Sequence, residues 1–135
     1  MLDELTIKVL ETDLHKIKSS LDRKQLYNIL YDMTISGKIA GIRVLEIMKH
    51  NIQYLESEDI IMEVFRSSMP ALLKKFVPPE ISFAISDEMF NLAMDILIKG
   101  YYKESASTQE LLFSSAIDFA QTENSMKEIA NIFLE

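Results

Sequence analysis

The side chains of this sequence whose types and spacing invite chemistry are two histidines and a short tyrosine stripe. Glu11 precedes His15 by four residues, and Glu46 precedes His50 by the same step. On an α-helix that spacing puts each pair on one face, where a carboxylate and an imidazole would offer zinc two ligands. A metal centre also needs a third ligand and groups behind the first ones to orient them. Neither stands near either pair in sequence, so the same spacing also reads as two solvated helix pairs, each contributing roughly a few tenths of a kcal/mol. The second candidate is Lys24, Tyr27 and Tyr31, which share a helix face. A groove holding a peptide uses tyrosine for contact area and lysine for a carboxylate. The same tyrosines would equally fill space between helix layers with their hydroxyls at the edge. No His-Glu-x-x-His, no Gly-rich phosphate loop and no Gly-x-Ser-x-Gly elbow occurs. With 0 Cys there is no disulfide, no thiolate zinc site and no thiol nucleophile. The motifs therefore assign this chain no catalytic residue, no metal ligand and no cofactor.

The elements that would position these residues are helices. Leu21 to Ile52 organises the chain as a helical hairpin. Leu26, Ile29, Leu30 and Met33 line one face of its first helix, and Ile42, Leu45, Met48 and Ile52 line one face of its second. Gly37 falls where a residue past a helix end takes positive φ. Upstream, Asp3 or Thr6 caps a helix running to about Lys18, with Ile7, Leu10, Leu14, Ile17 and Leu21 along it. Ser19 or Ser20 caps the next, with Asp22 in its first turn. Ser57-Glu58-Asp59 opens a helix that carries Pro70, so a kink or break is expected near Ser67 to Met69. Pro78-Pro79 ends that segment and is the clearest boundary in the chain, read as a turn. Ser86-Asp87-Glu88 is expected to cap the following helix, which closes near Gly100. Ser107 and Glu110 have capping-box spacing, as do Ser125 and Glu128 ahead of a stripe of Met126, Ile129, Ala130 and Phe133. Lys74-Lys75 suits a solvated helix end. The 8 Met fall on core stripes, as filler.

No segment alternates with period two, and 3 Gly with 3 Pro leave little punctuation for a β fold. The expected fold is all-α, about seven helices in antiparallel hairpins stacked as a degenerate HEAT-like α-solenoid, with residues 1–135 forming a single helical repeat domain. Hairpins opening near Ser20, Ser57 and Ser107 suggest the repeat, although their spacing is unequal and no 33- or 34-residue signature recurs. Hydrophobic residues make up 48% of the 135, enough for a core. The net charge of −7 is uneven: residues 1–50 carry +1 and residues 51–135 carry −8. An acidic chain without a Lys/Arg stripe is a poor partner for nucleic acid. No run approaches a membrane span, and Asp3 and Glu4 stand where an export signal would be basic. Together with the absence of Cys, this makes the cytoplasm the expected compartment.

The run from Leu2 to Ile52 resembles the start of the C-terminal helical domain of zinc-dependent aminopeptidases, the family of aminopeptidase N and the endoplasmic-reticulum aminopeptidases. The resemblance rests on Asp22-Arg23, Tyr27, Tyr31, Asp32-Met33 and Gly37-Lys38. Glu56 to Ile60 resembles the acidic start of that domain's next hairpin, and Ser107 to Leu134 its later helices. What the resemblance implies is a piece of a larger enzyme, Met1 then being no native terminus. In that family the zinc site and the Gly-x-Met-Glu-Asn motif lie in an earlier domain, and the helical domain closes the chamber over them. The implied partners are the catalytic domain of the same polypeptide and the far end of a peptide substrate. The residues that contact it vary between family members and none is carried over, so the possible peptide-facing residues stay Lys24, Tyr27 and Tyr31, from their own spacing. Zinc would belong to the parent alone. Asp22 and Arg23 match the family pattern, but the role expected of them is structural, tying one helix to the next. A piece cut from a stack would also self-associate through its open face. The alternative expectation is a free-standing helical adaptor that binds a partner helix or peptide.

Overall fold

The computed structural model describes residues 2–134, with side chains through residue 132. Among these residues there are seven helices and no strand, so the fold is all-α. The Asp3 carboxylate caps helix α1 (Glu4–Asp13) by accepting the Thr6 amide at 2.8 Å. This helix stops at Asp13, five residues earlier than the apolar spacing suggests, and tightens into a 3-10 turn over Leu14–Lys16. The reason is long-range. The His15 amide, which an α-helix would send to the Glu11 carbonyl, donates instead to Asn51 Oδ1 at 3.0 Å. Ser19 caps α2 (Ser20–Ile35) through the Asp22 amide. At its far end Gly37, with φ +75°, lets the Lys38 amide reach back to the Met33 carbonyl at 2.8 Å.

Helix α3 (Gly41–Ile52) is the hub of this part of the chain, packed against α1, α2 and the last stretch of α4. It is therefore buried around more of its circumference than the stripe of Ile42, Leu45, Met48 and Ile52. Val44, Ile47 and Asn51 are inside as well, and Ile42 sits half-buried at the edge. The buried centre of α2 is likewise rotated from the expected line. Tyr27, Leu30, Met33 and Thr34 occupy it, so Leu30 and Met33 of the expected line are inside and Leu26 and Ile29 are on the flanks.

Helix α4 runs through three pieces, Glu58–Glu63, a π turn over Val64–Ser68, and Met69–Phe76. The π turn stands directly ahead of Pro70, where the sequence predicts a break. The Met69 amide reaches the Val64 carbonyl, five residues back, so the wider turn absorbs a ring that has no N–H to give. Pro78-Pro79 then marks more than a turn, because the chain divides there into two compact units, Met1–Val77 and Pro78–Glu135.

In the second unit α5 (Pro79–Lys99) starts at Pro79 itself, seven residues before the expected cap. Proline at the first helical position has no orphan N–H and is already at helical φ. Ser86 is consequently mid-helix and buried, its hydroxyl donating to the Phe119 carbonyl at 2.7 Å. Gly100, with φ +71°, ends α5. Helix α6 (Ala106–Phe119) is capped by Ser105, not Ser107, through the Thr108 amide. That start aligns Thr108, Leu112, Ala116 and Phe119 on the face buried against Met89, Phe90, Ala93 and Ile96 of α5. Helix α7 (Glu123–Leu134) opens one turn before the expected Ser125 cap. Thr122 Oγ1 accepts the Ser125 amide and Ser125 Oγ accepts the Thr122 amide, each at 3.2 Å, a reciprocal cap built from two hydroxyls. The Thr122 hydroxyl in turn donates to Asp87 at 2.7 Å, tying the turn to α5. Phe133, the last position of the expected stripe, lies outside the described side chains.

The two units differ in charge. Residues 78–135 hold ten acidic against three basic residues, which is −7, and residues 1–77 hold eleven of each. Among the described residues no helix is long and apolar enough to cross a membrane.

Candidate functional site

Lys24, Tyr27 and Tyr31 do not form one open face. Tyr27 is 4% exposed, in the core between α2 and α4. Its hydroxyl is buried without a partner, and burial first of all, with the nearby Glu56 charge, pushes its pKa upward. Lys24 stands at the rim, 3.8 Å from both Asp59 and Glu63 of α4. Tyr31 is half-buried one turn further on. The space bounded by Lys24, Tyr27, Glu63 and Ser68 is about 10 Å3, no more than a water requires.

Beneath this stripe lies an ion pair that the sequence did not single out as a site. Arg23 Nη2 meets Glu56 Oε1 at 2.7 Å, and the Glu56 side chain is 2% exposed. Arg23 Nε also donates to both carboxylate oxygens, and Nη1 donates to the Ile17 carbonyl at 2.6 Å. These hydrogen bonds to Glu56 hold the guanidinium above its already high ordinary pKa. The pair ties the start of α2 to the turn that enters α4. Arg23 sits four residues before Tyr27 on the buried line, and that position was the available signal.

Of the two Glu-x-x-x-His pairs, Glu11 with His15 resolves differently from either expected form. His15 and His50 are neighbours, ring centres 6.1 Å apart, and Tyr54 stacks on His15 at 4.0 Å. Because the 3-10 turn takes His15 off the α1 helix, Glu11 instead accepts from Arg43 at 2.8 Å, and Arg43 also reaches Glu4 at 2.9 Å. Those two bonds raise the Arg43 pKa, and the same bond lowers that of Glu4. Asn51 fixes the cluster. Its amide nitrogen donates to the Leu10 and Ile47 carbonyls at 3.0 and 2.8 Å, which turns its oxygen toward the His15 amide and Nδ1. In a neutral His15 the proton is therefore on Nδ1 and Nε2 is the free acceptor. A cleft of about 300 Å3 opens beside the cluster, lined by Glu11, Arg43, Glu46, Ile47, Lys49 and His50. Among the described residues no group of three His, Cys, Asp or Glu is placed to hold a metal ion.

A third surface lies on α7. Ser125 is buried, Ile129 is half-buried, and Met126 and Ala130 face outward, Met126 at 55% exposure. Ile132 is 43% exposed. The apolar arc of this helix is thus only partly covered, on the unit that carries the net charge. The fold is all-α, with a buried Arg23–Glu56 pair, a histidine–Asn51 cluster and an α7 whose apolar arc is partly open. No known protein family, no curated protein and no solved structure matches the chain.

Proposed function

We propose that this chain is a non-catalytic helical interaction module that binds a partner helix or peptide on α7. The observation that carries the reading is the outward-facing Met126 and Ala130 on a helix whose neighbouring Ser125 is fully packed. A large apolar side chain left open beside a small one on an amphipathic helix suits helix-on-helix recognition. The histidine cleft is a weaker candidate, since its Arg43 and Glu11 are already paired and no group of three metal-ligating side chains lines it among the described residues. The absence of Cys gives a clean test. A Met126→Cys chain carrying a solvent-sensitive dye is titrated with amphipathic helical peptides. The dye is expected to report loss of water there, and the same dye on Lys103→Cys is expected to stay silent. A silent dye at 126 with every peptide would refute the reading.

A second reading keeps the resemblance, with this chain as the chamber-closing helical domain of a zinc aminopeptidase. What supports it is that Asp22-Arg23 and Gly37-Lys38 fall at a helix start and a helix stop, the places the family pattern assigns them. An open reading frame continuing upstream into His-Glu-x-x-His would support that reading, and a native start at Met1 would remove it. In neither reading does the purified chain release N-terminal amino acids, with or without added zinc.

A further inference from the structure

We propose that Met126 is a selective, reversible oxidation site, where a peroxide adds one oxygen to the thioether and changes the surface of α7 without opening the fold. The exposure of the methionines carries the argument. Met33, Met48, Met69 and Met89 are buried, none more than 6% exposed, and Met62 and Met94 are half-buried. Met126 is 55% exposed. A peroxide must touch the sulfur to oxidise it, so access sets the order of reaction. The composition removes the usual competitor, because with 0 Cys no thiolate consumes the oxidant first. Met126 lies on the partly covered arc of α7, but its oxidation does not depend on that arc being a docking face.

The step balances with hydrogen peroxide as the co-reactant. A sulfur lone pair attacks one peroxide oxygen, and the S–O bond forms as the O–O bond breaks. The departing hydroxide takes up the proton left on the transferred oxygen and leaves as water, so sulfur is oxidised and the peroxide reduced. The return step uses a pair of thiols, which carry the oxygen away as water and become a disulfide. This chain has no Cys, so those thiols belong to a separate sulfoxide-reducing protein. At Met126 the new oxygen meets water and costs the core nothing, whereas at Met48 or Met69 it would be buried. Its neighbours three and four residues on are the half-buried Ile129 and the exposed Ala130. Oxidation therefore exchanges an apolar group for a polar one on that arc and leaves the packing beneath it alone.

The test treats the full chain with hydrogen peroxide and follows each methionine over time by peptide mass mapping. The peptide holding Met1, which lies outside the described residues, is scored separately. Met126 is expected to gain its oxygen about fivefold or more faster than Met62 and Met94, and to lead the four buried methionines by a wider margin. In urea strong enough to unfold the chain that lead should vanish. The chain oxidised at Met126 should keep its helicity and its urea midpoint, and elute earlier from a hydrophobic-interaction column. Stereospecific methionine sulfoxide reductases with a thiol should restore the original elution. The Met126→Leu chain stays apolar there, so it should lose the fast step and elute after peroxide as it did before. Equal rates at Met126 and the half-buried methionines, or a lead that persists in urea, would overturn the site. A loss of helicity on oxidation of Met126 alone would overturn the inference that the fold is left intact.

Discussion

At the scale of single residues, the first unit is held by polar groups buried among apolar ones. Glu56 is a carboxylate at 2% side-chain exposure, and Arg23 answers it with three hydrogen bonds while also covering the carbonyls of Ile17 and Lys18. Removing one member leaves a buried charge, which costs more than the pair contributes. Arg23→Ala is expected to destabilise the first unit by about 3 kcal/mol, read from the urea midpoint of the full chain. Arg23→Met combined with Glu56→Leu is expected to recover most of that loss, because no charge then remains inside. A small loss in Arg23→Ala would mean the pair behaves as an exposed one. Neither this pair nor Asn51 was legible as a partnership in the sequence. Arg23 and Asn51 each lie on an apolar line of their helix, which marks them as buried, while Glu56 lies in the turn ahead of α4, and partners 33 and 36 residues away leave no periodic trace. The histidines show the same limit: each was visible, and their meeting at 6.1 Å was not.

At the scale of elements, two glycines separate what local pattern can tell from what packing decides. Gly37 has φ +75° and nothing within 4 Å of a Cβ built on it, so its requirement is conformational. Gly41 has an ordinary helical backbone, but a Cβ there would meet the Phe76 Cβ at 2.6 Å, where α3 passes the end of α4. Gly37→Ala is expected to cost about 1 kcal/mol, and Gly37→Asn less, since asparagine visits the left-handed region more readily. Gly41→Ala is expected to cost about 1–3 kcal/mol from overpacking, and Gly41→Asn more. Thermal unfolding of the four variants checks this opposite order. Gly37 could be read from its place past an apolar stripe, whereas Gly41 reads as an unremarkable helix start. The helix starts divide similarly. Asp3 and Ser19 cap where local chemistry places them, while Ser86 and Ser107 lost that role to earlier starts that extend the α5–α6 contact.

The cap of α1 also fixes a pH response for that element. The Thr6 amide bonded to Asp3, and the Arg43 guanidinium bonded to Glu4, each lower the carboxyl pKa. A carboxylate whose folded pKa is depressed contributes stability that is present above its unfolded value, about pH 4, and fades as pH falls through the folded one. The first turn of α1 is therefore expected to open in acid below about pH 4, seen as a loss of protection at the Thr6 and Ile7 amides relative to the intrinsic exchange rate at each pH. Asp3→Asn keeps an oxygen for the cap and loses the charge, so it should remove the Asp3 share of that pH dependence. A first turn equally protected at pH 2 and pH 6 (roughly two units either side of the carboxylate range) would contradict the assignment.

At the scale of the whole molecule, the sequence showed its acidity as a gradient, and the division at Pro78 turns it into a difference between two units. Residues 1–77 are neutral overall, while residues 78–135 carry −7 on a compact three-helix unit. Like charges confined to a small folded volume repel one another more than they do along an extended chain, so they lower stability, and salt screens that repulsion. In the first unit, by contrast, salt also screens attractive pairs such as Arg43 with Glu4 and Glu11. Raising salt from about 0.02 to about 0.5 M is therefore expected to slow hydrogen exchange in α5, α6 and α7. The same change should leave α1 to α4 unchanged or slightly faster. Uniform slowing along the chain would point to a general effect of salt on apolar burial and would separate the charge of the second unit from its stability. If the two halves respond with opposite sign, the stability of the second unit is set in part by the like charges it carries, and that of the first by its opposite-charge pairs.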